Sequence, residues 1–108
     1  MDVRGNELGI EGAKYVSELI EESKTLMHLD IRSNKIGDEG MIHIAKSLLK
    51  NASLSFLYLN RNEIKNESIK QLSHSLKYNK SVIYLELCNN RFETDGNFFK
   101  FPKKKKKS

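Results

Sequence analysis

Few side chains in this 108-residue sequence are of the types that make or break bonds. Cys88 is its single thiol, and the histidines are His28, His43 and His74. A cysteine nucleophile needs a base beside it and a further group to orient that base. Cys88 and His28 stand far apart in the chain, and the pattern offers no orienting group. His28 with Asp30 and Glu86 lacks the short recurring spacing of a metal site. There is no glycine-rich phosphate loop and no pair of catalytic carboxylates at a motif spacing. The expectation is no catalytic, metal-binding or cofactor-binding residue, and no enzyme. A lone cysteine also excludes an intrachain disulfide, which suits a reducing compartment.

Charge is the next resource. The net charge of +5 resides in one terminal run, Lys103 to Lys107. Without that run Lys+Arg falls from 19 to 14 and equals Asp+Glu at 14. A balanced body gives no general reason to bind phosphate backbones, so nucleic acid is expected as a partner only through the lysine tail. Pro102 followed by five lysines is similar to a single-cluster nuclear-localisation signal. Such a run also suits nucleic acid or anionic lipid. The chain holds 15 lysines to 4 arginines and many asparagines, the bias of an A/T-rich genome in which an adenine run reads as polylysine. An incidental run is therefore the favoured explanation and a nuclear address the alternative. The opening residues, MDVRGNELGI, lack the apolar core of a secretion signal. No apolar stretch approaches the roughly 18 residues that span a bilayer. The expected location is the cytoplasm, with the nucleus open through the tail.

What positions these residues is an internal repeat. Laid on itself with an offset of 28, the chain aligns LMHLDIRSNKI from Leu26, LSFLYLNRNEI from Leu54 and VIYLELCNNRF from Val82. The shared columns are Leu26/Leu54/Val82, Leu29/Leu57/Leu85, Ile31/Leu59/Leu87, Asn34/Asn62/Asn90 and Ile36/Ile64/Phe92. Met1, Val3, Asn6 and Leu8 extend them one unit upstream. The alternating apolar positions read as short strands. Between them, apolar columns such as Val16/Ile44/Leu72 and Ile20/Leu48/Leu76 fall on one helical face. Helices are therefore expected over Glu11 to Ser23, Glu39 to Lys50 and Glu67 to Tyr78, each opened by an acidic residue at the positive end of the helix dipole. Gly12 and Gly40 recur in the first turn, where the missing side chain would let a neighbouring helix approach.

These columns resemble the leucine-rich-repeat family, in its ribonuclease-inhibitor-like class with a helix in every unit. The resemblance covers about residues 1 to 97. It implies an α/β right-handed solenoid of about 3.5 repeats, with a curved parallel sheet of four short strands inside and helices outside. It also implies a ladder of Asn6, Asn34, Asn62 and Asn90 bonded to the backbone of the turns. Proteins of this kind bind other proteins through the concave strand face. Relatives that activate the GTPase Ran, or that form the sensing end of immune receptors, offer alternative roles.

With the leucine columns turned inward, alternation puts His28, Asp30 and Arg32 on the opposite face of the second unit. Phe56, Tyr58 and Asn60 follow in the third unit, and Tyr84, Glu86 and Cys88 in the fourth. Aromatics between opposite charges are the composition of protein-binding hot spots. The expected partner-binding set is His28, Asp30, Arg32, Phe56, Tyr58, Asn60, Tyr84 and Glu86.

The ends fit less well. A fourth helix would place Lys100 in the column of Val16, Ile44 and Leu72, and Pro102 disfavours helix. Phe98, Phe99 and Phe101 are candidates for a cap. The expected division is a repeat domain over residues 1–101 and a disordered basic tail over 102–108. The first unit opens with Val3 and Leu8 uncovered, which suggests a fragment of a longer array or self-association through the N-terminal end.

Overall fold

Three units of helix and strand follow one another in the computed structural model, which describes residues 1–88 and Asn90. The order is α1 (Gly9–Glu22), β1 (His28–Asp30), α2 (Gly37–Ser47) with a 3-10 turn at Leu48–Lys50, β2 (Phe56–Tyr58), α3 (Asn66–Tyr78) and β3 (Tyr84–Glu86). The strands form a parallel sheet in the order β1-β2-β3. His28 pairs with Phe56 and Phe56 with Tyr84, so every strand partner lies 28 residues along the chain. Parallel strands need a crossover, and here a helix supplies each one.

The expected first strand shrinks to a single bridge between Asp2 and Asp30, made by Val3 N–H to Asp30 O at 2.9 Å and Asp30 N–H to Met1 O at 2.9 Å. The register of β1, His28–Asp30, carried back 28 residues reaches only Met1 and Asp2, so a single bridge is what the ladder can form there. The expected fourth helix, the Phe92 column, the phenylalanines at 98, 99 and 101, and the tail from 102 lie outside the described residues.

One apolar layer joins sheet and helices. Leu29, Leu57 and Leu85 are buried from the strands, and Ile20, Ile44, Leu48, Ile69, Leu72 and Leu76 meet them from the helices. Val3, Leu8 and Leu26 pack against that layer but stay partly exposed. The helices start one or two residues before their acidic residues, at Gly9, Gly37 and Asn66. Gly40 behaves as expected: a Cβ there would sit 2.9 Å from the Ala13 Cβ of α1. Gly12 does not, because its missing Cβ would meet Leu8 of its own turn at 2.4 Å.

The turns from strand to helix are tight. Ser33, Lys35, Arg61 and Glu63 all take positive φ between 53° and 60°. Left-handed backbone costs an L-residue roughly 1–2 kcal/mol, so something must hold it. Asparagines do so. Asn34 and Asn62 are fully buried. The Asn62 side chain donates to Ile31 O at 2.8 Å and Leu59 O at 3.2 Å, and its oxygen accepts from Asn34 N–H at 2.8 Å. Asn34 does the same toward Val3 O at 2.8 Å and accepts from Asn6 N–H at 2.8 Å. Asn90 repeats the pattern on Leu59 O and Asn62 N–H.

A second row of asparagines, absent from the sequence reading, closes the other ends of the helices. Asn51 donates to Ile20 O at 2.8 Å and accepts from Leu54 N–H at 2.7 Å. Asn79 donates to Leu48 O at 2.9 Å and accepts from Val82 N–H at 2.8 Å. Each therefore ties a helix end in one unit to the strand entrance of the next. One further tie crosses units: the Asp38 carboxylate in α2 accepts from Lys65 N–H at 2.8 Å and from the Ser68 hydroxyl at 2.5 Å, capping α3.

Candidate protein-binding face

The sheet turns its leucines into the core, so the residues on either side of each leucine stand on the face away from the helices. The three-residue strands show that pattern in burial: Leu29, Leu57 and Leu85 are buried between exposed or half-buried neighbours. Strand registry then stacks side chains from successive units into rows.

The outer row is aromatic. The His28 and Phe56 rings stack with centroids 4.5 Å apart and planes 1° from parallel. Phe56 and Tyr84 are 6.0 Å apart and tilted by 41°. Tyr58, one position along, lies 5.6 Å from Tyr84. The second row alternates charge with a ring: Asp2, Asp30, Tyr58 and Glu86 lie side by side through the strand registry. The third row holds Arg4, Arg32, Asn60 and Cys88.

Polar atoms of these rows are already paired with one another. The Arg32 guanidinium grips Asp30 with two bonds, Nε to Oδ1 at 2.8 Å and Nη2 to Oδ2 at 2.6 Å. The same group lies 5.3 Å from the centre of the Tyr58 ring and 3.8 Å from Glu86. Glu86 accepts from the Asn60 amide at 2.9 Å and the Tyr84 hydroxyl at 2.7 Å. The Asn60 oxygen accepts from Cys88 N–H at 2.7 Å. Arg4 pairs with Asp2 at 2.9 Å and approaches Asp30 at 3.5 Å. The Asp30 hydrogen bond raises Arg32 further above its ordinary pKa, and Asp2 does the same for Arg4. Both arginines therefore stay charged at any accessible pH. In return the Arg4 hydrogen bond holds the Asp2 carboxyl below its ordinary value.

All eight sequence-proposed residues thus reach one surface, from His28 to Glu86. The two other histidines do not join it. His43 is half-buried on α2, and His74 is exposed on α3 against the Tyr78 ring at 5.2 Å. Cys88 is exposed, with no other thiol in the chain. Among the described residues no group of three or more His, Cys, Asp or Glu side chains is placed to hold a metal ion. Among them, too, no helix is long and apolar enough to cross a membrane.

This arrangement of strand, asparagine-held turn and helix has a counterpart in known families. Residues 22–45, which run from the end of α1 through β1 into α2, match a family model described as Leucine Rich repeat. That stretch is similar to one such repeat. A solved structure titled "Leiomodin-1 Actin-Binding Site 2 (ABS2)" superposes with a TM-score of 0.82 at 20% sequence identity. The likeness covers 91% of this chain and 57% of that one, so the chain spans little more than half the neighbour's length. At that identity the likeness speaks for the α/β repeat fold. No curated protein matches the sequence.

Proposed function

We propose that this leucine-rich-repeat chain is a protein-interaction module rather than an enzyme, and that its partner seats on the sheet face away from the helices. The observation that carries the reading is the aromatic row of exposed His28 and half-buried Phe56 and Tyr84 beside a set of charges that are already oriented. Side chains held by one another lose less freedom on binding, so more of each contact appears as affinity. Stacked rings offer contact area without desolvating an unpaired charge.

Within this proposal the units form a right-handed solenoid of the ribonuclease-inhibitor-like class, with repeats of 28 residues and the aromatic face concave. The strand registry and the asparagine bonds at that same separation support it. The neighbour's title names actin, which makes actin the first partner to test. A binding assay of the full chain against actin, and an affinity pull-down, should each lose signal on Phe56→Ala with Tyr84→Ala. Substitutions at Lys46 and Lys70, on the helices, should leave binding intact. Equal loss from both sets would sink the assignment of this face. A GTP-hydrolysis assay with small GTPases separates the module from the Ran-regulator alternative. The same reading places the chain in the cytoplasm, with the lysine run as a nuclear address. Deleting residues 103–107 should then shift a fluorescent fusion out of the nucleus.

A further inference from the structure

The end of the array beyond α1 is built differently from its interior. On α2 the side facing α1 is small: Gly40 meets Ala13, and Ser47, two turns on, is fully buried. On α3 the same columns are Ser68 and Ser75, again fully buried. On α1 they read Gly12 and Leu19, and the position between, His43 in α2 and Gln71 in α3, becomes Tyr15. Leu19 is 39% exposed and Tyr15 79%. This face of α1 is bulkier and more apolar than the faces of α2 and α3 that pack against a preceding helix.

What it presents is an apolar groove of about 350 Å3 lined by Met1, Tyr15, Val16, Glu18, Leu19 and Glu22. The rim is acidic. Helix α1 carries Glu11, Glu18, Glu21 and Glu22 against Lys14 alone, and that lysine is 3.8 Å from Glu11. Two such ends facing each other would oppose like charges, so a symmetric contact between N-terminal ends is disfavoured. The groove calls for apolar rings followed by positive charge. The chain contains one such segment, Phe98-Phe99-Lys100-Phe101-Pro102 followed by Lys103 to Lys107.

We propose that the groove on α1 takes the Phe98–Lys107 segment of a second copy of this chain, giving head-to-tail association. The phenylalanines fill the space over Leu19 and Tyr15, and the lysines lie along Glu18 and Glu22. Occupancy by a second copy, rather than by the chain's own segment, is what makes the association depend on concentration. Rings supply most of the affinity, because exposed ion pairs are weak and screened by salt. A head-to-tail contact leaves a free groove and a free segment at its two ends, so association continues beyond two copies.

Sedimentation of the full chain over a wide concentration range should show species growing past the dimer. Tyr15→Gln with Leu19→Ser gives α1 the residues that α3 already carries, and this variant should fold but not assemble. Phe98→Ser, Phe99→Ser and Phe101→Ser together should also give monomers. Mixing the two variants should restore one contact and stop at a heterodimer. A labelled peptide of residues 97–108 should bind the wild-type chain, and about tenfold or more weaker to the groove variant, a difference of about 1.4 kcal/mol per tenfold. A concentration-independent monomer overturns the proposal. So does a tail variant that still forms homodimers, or a peptide with serines for phenylalanines that binds as well as the original.

Discussion

The first and the middle units share their columns, yet the columns do different amounts of structural work. Leu59 is fully buried between neighbours on both sides, whereas Val3, in the same column, packs against the core from one side and stays partly exposed. Asn62 is buried and bonded to two turns; Asn6 is exposed, and its amide nitrogen donates to Val3 O and Arg4 O in its own turn. In the asparagine column the side chain is constant and the neighbour is the variable. In a stacked array, the energy of a column belongs to the junction between units rather than to the unit.

The strongest way to break that comparison is at the apolar column shared by Val3 and Leu59. Leu59→Ala should cost about 3–5 kcal/mol of unfolding free energy in urea, and Val3→Ala less than about 1.5 kcal/mol. Equal costs would mean that the first unit is covered as well as the third. Next is the asparagine column. Asn62→Leu strands Ile31 O and Asn34 N–H in the core, at roughly 1–3 kcal/mol for each group. Asn6→Leu should cost under about 1 kcal/mol, since water reaches the groups it leaves. Thermal melts of the two variants side by side read the difference. Gly40→Ala gains about 1 kcal/mol of helix propensity but forces a methyl against Ala13. Overpacking of that kind costs about 1–3 kcal/mol, so a net loss near 1 kcal/mol is expected. A gain in stability would show that α1 yields more readily than the interior does.

The smallest effect belongs to Asp2. Its carboxyl titrates below the ordinary value, first because of the Arg4 hydrogen bond. A lowered folded-state pKa gives a contribution that is present above the ordinary carboxylate range and is lost as pH falls through the lowered value. NMR titration should therefore place the Asp2 midpoint lower in the native chain than in Arg4→Gln. An unchanged midpoint would remove Arg4 as the cause.

The columns that were legible in the sequence are those repeated in every unit. Leucines at 29, 57 and 85 and asparagines at 34, 62 and 90 recur without a break, and one offset aligns them. All eight face residues followed from the alternation around those leucines. The second asparagine row escaped because Ser23 stands where Asn51 and Asn79 do, so the column looks mixed. Ser23 nonetheless accepts from Leu26 N–H at 2.9 Å, the bond that Asn51 accepts from Leu54. The Asp38 cap escaped for a related reason: Ile10 and Asn66 fill its column, and a bond made once leaves no period to find. At Gly12 the described residues place no helix on that side, and Leu8 of its own turn is what a Cβ would meet.

The asparagine amides also give the array a polarity. Each reaches backward: Asn34 clips onto Val3, Asn62 onto Ile31 and Asn90 onto Leu59, while each oxygen receives the N–H of the preceding asparagine. Each turn is thus fastened twice, by its own asparagine and by the one that comes after it. Shortening such a chain from the front leaves the first remaining asparagine only its own turn for its amide nitrogen, as with Asn6. Shortening it from the back strands backbone groups of the last turn that is kept, as loss of Asn90 would strand Leu59 O and Asn62 N–H. The two truncations remove the same amount of protein and are not equivalent.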